Sequence, residues 1–123
     1  FAEAQAQLGL CYLFGQGVEQ DHDAALRWSL AAAEQGNAWA QYRAAHILIR
    51  HGPRRELEFI EAVKWLVRSF NHPQEEGERR HDFIKDDFTF LQSALPADVF
   101  EAACSEAAMS QRHGSATSQG GHA

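Results

Sequence analysis

Apolar residues recur along this chain at the 3.6-residue period of an amphipathic helix, without the sustained alternation of a strand. The first such stretch, AEAQAQLGLCYLF, puts Ala4, Leu8, Cys11 and Tyr12 on one stripe and stops at Gly15, where a left-handed C-cap needs no Cβ. It predicts a helix over about 3–14. Gly17 allows a second tight bend, Val18 is expected to plug the helix pair, and Asp21 or Asp23 to cap a second helix running to about Gln35. QGN at 35–37 ends that helix in the same manner. Another pair is predicted at about 39–50 and 57–70, broken by Gly52-Pro53. After the polar loop PQEEGERR, Phe83, Ile84, Phe88 and Leu91 mark a fifth helix. Val99, Phe100, Ala103, Cys104 and Ala107 mark a sixth, with Pro96 suited to its first position. The closing run, 113–123, is small and polar and is expected to be mobile.

The stretch GQG at 15–17 has the look of a phosphate-cradling loop. A dinucleotide turn, however, needs a third glycine, where Gln20 stands, and a strand before it, where a helical stripe stands. The glycines are read instead as shaping a hairpin between helices.

The chain also repeats itself. AEAQAQLG, from Ala2, returns as AWAQYRAA, from Ala38, and AALRWSL, from Ala24, returns as EAVKWLV, from Glu61. A fixed period in this range marks a stacked architecture. Ala4, Leu8-Gly9, Tyr12, Gly15-x-Gly17-Val18, Asp21, Ala25, Trp28, Ala32-Ala33 and Gly36-Asn37-Ala38 together resemble a Sel-one-like repeat, a branch of the tetratricopeptide-type solenoids. The second unit departs from that pattern, with Ala45 where glycine would stand, Leu48 for the tyrosine and PRRE in place of the Gly-Val loop. The resemblance implies an all-α fold, a short right-handed α-solenoid of antiparallel helix pairs with C-terminal capping helices. It also implies an adaptor or scaffold that presents surface to another protein or peptide, often in bacterial regulation or envelope assembly. The expected divisions are a first repeat at 1–37, a degenerate second at 38–72, a polar loop at 73–80, capping helices at 81–112 and the tail. Because one unit cannot bury its apolar face alone, the end helices are expected to close the stack.

Composition agrees with helices: alanine fills 21 of 123 positions and only three residues are proline. The net charge of −6 repels a polyphosphate backbone, so nucleic acid is not the expected partner. No run approaches the roughly 18 apolar residues of a membrane span. Cys11 and Cys104 form no C-x-x-C and are read as reduced, largely buried thiols. The chain opens at Phe1 inside an apparent helix, with no basic leader, and reads as an excised or processed segment whose compartment, cytoplasmic or periplasmic, stays open.

Seven histidines raise the question of metal, yet none is paired at i, i+4, and His81, Asp82, Asp86 and Asp87 are read as a solvated helix start. Cys11 and His22 lack a third group to orient them as nucleophile and base. Trp28 and Trp65 are read as packing residues. No cofactor, metal or catalytic set is expected. One pattern remains. In the second unit Ala40, Ala44, Ile47 and Leu48 suffice for packing, while Trp39, Tyr42, His46, Ile49 and Arg50 occupy the opposite arc. By the resemblance that arc lines a concave groove, continued in the first unit by Glu3, Ala6, Leu10, Leu13 and Phe14. Leu10, Leu13, Phe14, Trp39, Tyr42, His46, Ile49 and Arg50 are thus the candidate partner-binding residues, since aromatic and arginine anchors serve peptide recognition. The alternatives are that upstream repeats or the C-terminal helices cover the arc, or that a small hydrolase or ligand site uses His46 there.

Overall fold

The computed structural model describes the backbone of residues 1–122 and the side chains of residues 1–109. The expected mobile tail, 113–123, lies outside the described side chains. Six helices follow one another: α1 Ala2–Phe14, α2 His22–Glu34, α3 Ala38–Arg50, α4 Glu56–Phe70, α5 Arg80–Ala94 and α6 Ala97–His122. There is no strand among the described residues.

The helix ends are set by local chemistry. Gly15 takes φ 70° and ψ 35°, the left-handed cap in which a side chain would be strained. The Asp21 carboxylate accepts the Ala24 N–H at 3.1 Å, and the Asn37 side chain accepts the Ala40 N–H at 2.9 Å. Each cap satisfies a donor that the first turn leaves free. Consecutive helices α1 to α4 pack in order, each on the next, as a short helical solenoid does.

The core is built largely from alanine. Ala25, Ala32, Ala40, Ala44, Ala45 and Ala62 have no exposed surface, and Ile49, Val63 and Leu66 fill the space between them. Small side chains let helix axes approach closely. The tightest point is Gly9, where a Cβ would lie 2.7 Å from the Ser29 Oγ of α2.

Three expectations change here. The α1 stripe is not the packed one: Leu8 is 39% exposed, and α1 buries Ala6 and Gly9 instead. Its neighbour α2 covers the Gly9 side, and among the described residues the side of Leu8 is left partly open. Val18 is likewise exposed and plugs nothing. Cys11 and Cys104 are free thiols but only half-buried, with burial, then the nearby Glu101, pushing the Cys104 thiol up.

The C-terminal helices do not continue the zigzag as a third pair. α6 reaches past α5 to pack on α4, burying Ala103 and Ala107, while α5 lies across α3 and α4. That crossing decides what becomes of the concave face.

Candidate functional site

By the helical period, Trp39, Tyr42, His46 and Arg50 share one face of α3, and α5 lies on it. Phe83 stacks against Tyr42, ring centroids 5.9 Å apart, and tilts against Trp39 at 6.3 Å. One turn on, the buried Asp87 carboxylate sets Oδ2 3.0 Å from His46 Nδ1 and Oδ1 3.7 Å from an Arg50 guanidinium nitrogen. The Arg50 guanidinium in turn lies over the Phe90 ring at 5.1 Å. At the start of α3 the Trp39 indole N–H donates to Glu78 at 2.7 Å. Glu78 also meets Arg80, a buried arginine that donates to the carbonyls of His72 and Pro73 at 2.7 and 3.1 Å and so holds the 71–79 loop against the stack.

This seam has its own electrostatics. Burial, then the negative charge of Asp87, pushes the Tyr42 phenol up to about 12, so at neutral pH it is an un-ionised hydroxyl. Its oxygen stands 3.5 Å from His46 Nδ1, the same nitrogen that faces Asp87. Among the described residues no serine, threonine or cysteine hydrogen-bonds His46.

Ile49 is a correction. Named with the groove residues, it is wholly buried in the core. On the wheel it falls between Ala45 and Tyr42, at the edge of the arc, and joins the cluster with Ala45, Ala62 and Leu66. It offers no surface to a partner.

The first unit's half of the expected groove is different. Leu10 and Leu13 are half-buried and Phe14 is 62% exposed. Between α1 and the start of α3 runs a cleft of about 170 Å³ lined by Glu3, Ala6, Gln7, Asn37, Trp39 and Arg43. Glu3, Ala6 and Gln7 share a helical face with Leu10, Leu13 and Phe14, so the cleft leads along α1 toward those apolar residues. The Arg43 guanidinium lies over the Trp39 ring at 5.3 Å, and burial pulls its pKa below the usual arginine range. The structure thus brings Trp39, Tyr42, His46 and Arg50 together beneath α5, and sets Leu10, Leu13 and Phe14 apart from them on α1.

Sequence reasoning missed Arg43, Phe83 and Glu78 as site residues, and read Asp87 as part of a solvated helix start, whereas it is buried. The signal for Asp87 was present. Arg80, Ile84, Asp87 and Leu91 are spaced as one helix face, and a charge within such a face calls for a partner on another helix. His81 instead stacks on Phe70 at 4.4 Å, Asp82 faces Arg79 at 3.7 Å, and among the described residues no three metal-ligating side chains gather. His22 lies parallel to His51, centroids 3.9 Å apart, an arrangement that holds the His51 pKa down, chiefly by burial and then by His22.

A stack in which neighbouring helix pairs pack one on the next is a helical-repeat protein. More narrowly, residues 2–37 match the family model described as Sel1 repeat. No solved structure gives a significant match. Sel1 repeats are typically protein–protein interaction modules and are generally not enzymes. No helix among the described residues is long and apolar enough to cross a membrane.

Proposed function

We propose that this chain is an adaptor or scaffold module that binds a segment of another protein along the α1 side of its concave face, with no chemistry of its own. The observation that carries this reading is the cleft between α1 and α3, walled by the Trp39–Arg43 pair, with Leu10, Leu13 and Phe14 lying further along the same face of α1. The tryptophan and arginine of the cleft are anchor types that dominate binding at interfaces, and the exposed Phe14 with the half-buried Leu10 and Leu13 adds apolar surface along α1. Glu3 and Arg43 at the cleft's rim offer one charge of each sign to orient a backbone or a polar side chain.

Two of the four α3 residues, His46 and Arg50, are engaged by Asp87 of the same chain, which shifts the site toward α1. The other reading, a ligand or hydrolase site at His46, draws support from the His46–Asp87 pair, since a buried carboxylate fixes an imidazole for proton transfer.

A photo-crosslinking residue placed at Leu13 tests the proposal in the source cell, with one at the exposed Ser93 as control. One discrete crosslinked protein from position 13, absent from position 93, is the expected result. Affinity for that protein should fall about tenfold or more in a Leu13→Ala, Phe14→Ala double variant, because each truncated anchor costs on the order of 1 kcal/mol or more. Equal crosslinking from both positions, or unchanged affinity, would rule out this face.

A further inference from the structure

We infer that α5 is a displaceable occupant of the α3 half of the concave face, and that the surface beneath it binds amphipathic helices carrying α5's own pattern. That pattern is an aromatic at Phe83 followed by Ile84, a carboxylate four residues after the aromatic at Asp87, and a second aromatic three further on at Phe90. The inference rests on the proposed function only in treating both halves as one concave face.

The first support is what holds α5 in place. Its buried residues are Arg80, Ile84, Asp87 and Leu91, two charged and two apolar, whereas α4 buries Phe59, Ala62, Val63, Trp65, Leu66 and Ser69. With fewer wholly buried apolar side chains than α3 or α4, and with Phe88 and Phe90 only partly buried against the core, α5 opens at lower free energy than they do. The second is the route of α6. Because Ala103 and Ala107 are buried against α4, and Lys64 meets Glu106 at 3.5 Å, α6 keeps its own seat on α4 when α5 leaves, and of the α4 side chains Phe59, edge-on to Phe90 at 5.8 Å, is one that opens with it.

The third is the character of the α3–α5 contacts. Tyr42 on Phe83, His46 and Arg50 on Asp87, and Arg50 on Phe90 are the aromatic and charge-assisted contacts of an exchangeable interface. Their α3 side is half-open to solvent, with the His46 and Arg50 side chains 35% and 45% exposed, while Asp87 on the α5 side is buried. The fourth is the pair of joints. The 71–79 loop, with Gly77 at φ 87°, precedes α5, and Leu95-Pro96 follows it. Tethered in this way, α5 acts at an effective concentration in the millimolar range, so a competing helix displaces it only when it binds better or when α5 is weakened.

Two measurements decide the matter. In hydrogen–deuterium exchange on the intact wild-type chain, amides of 84–94 should exchange at least about tenfold faster than those of α3 and α4, with α6 residues 101–109 still protected. Protection of α5 equal to that of α4 means it opens only with the whole fold, and overturns the inference. The second uses a fluorescein-labelled peptide of residues 80–95 as probe. A chain carrying Phe83→Ala and Asp87→Asn should bind it at least tenfold more tightly than wild type, and adding Arg50→Ala should abolish the gain. An opened, folded chain that does not take the peptide overturns the inference; a variant that fails to fold returns the decision to the exchange experiment. Neither readout involves the α1 cleft, so failure here leaves the proposed function standing, and an unused α1 cleft leaves this inference standing.

Discussion

α1 and α3 carry the same helical register 36 residues apart and meet opposite fates. Ala40, Gln41, Ala44, Ile47 and Leu48 of α3 are all buried. Their counterparts in α1, Ala4, Gln5, Leu8, Cys11 and Tyr12, are all exposed or half-exposed. The difference is not in residue type, since the exposed stripe has the larger side chain at one position, leucine against alanine. It lies in the neighbours. α3 has α2 on one side, α4 on the other and α5 across its face, while α1 packs on α2. In a stack where each unit contacts only its neighbours, burial is conferred by position in the array as much as by the unit's own sequence.

That contrast is open to attack by paired substitutions at equivalent positions. The largest effect is expected at Ile47, which is 1% exposed. Ile47→Ala removes three buried carbons and leaves a cavity, at a cost of about 2 to 5 kcal/mol, a large share of a small domain's total. Cys11→Ala, at the matching position of α1, should cost less than about 1 kcal/mol, because its side chain is only half-buried. Chemical denaturation of both variants gives the two numbers. Similar losses at 11 and 47 would mean that a face of α1 open here is covered in solution.

A smaller but more local effect is expected where the two units differ in the opposite sense. Gly9 is buried against Ser29, and Ala45 stands at its place in α3. An alanine at position 9 would set its Cβ 2.7 Å from the Ser29 Oγ and 3.4 Å from the Ala25 carbonyl oxygen. Overpacking of this kind costs about 1 to 3 kcal/mol, against which the better helix propensity of alanine returns up to about 1 kcal/mol. Gly9→Ala should therefore lower stability by about 1 kcal/mol, and Ser29→Ala in the same chain should recover at least half of that. A Gly9→Ala chain as stable as wild type would show that Ser29 moves aside at no cost and that the close approach of α1 to α2 is not what selects glycine.

What the sequence made legible follows from the range of each interaction. Helix ends depend on residues three or four apart, so Gly15 and Asp21 announced caps that the structure shows, while Asn37, read only as part of the stretch ending α2, also caps α3. The helical-repeat fold was equally legible, because the stripe and its return lie within one window of chain. The seat of α5 was not. His46 and Asp87 are 41 residues apart, and nothing near either one names the other. A carboxylate on the buried face of α5 announced only that some partner existed. Ile49 was misplaced for a finer reason: at the margin between two arcs, a fraction of a turn separates core from groove, and the neighbouring helix decides.

The smallest effect expected is the most diagnostic one. Leu8 heads the stripe that the period of α1 marks as its packing face, and a leucine truncated in a packed face would cost about 2 to 5 kcal/mol. In the structure it is 39% exposed, whereas Ala44, its equivalent, has no exposed surface. Leu8→Ala should then cost at most about 1 kcal/mol, since a good part of its surface never left water and the site, open to solvent, leaves no closed cavity. The denaturation midpoint of Leu8→Ala is the measurement, read beside that of a surface variant such as Arg27→Ala. A midpoint close to the surface variant's places the open edge of the array at α1. A loss as large as that of Ile47→Ala would show the stripe buried against another molecule or another segment, and would reverse the contrast between α1 and α3.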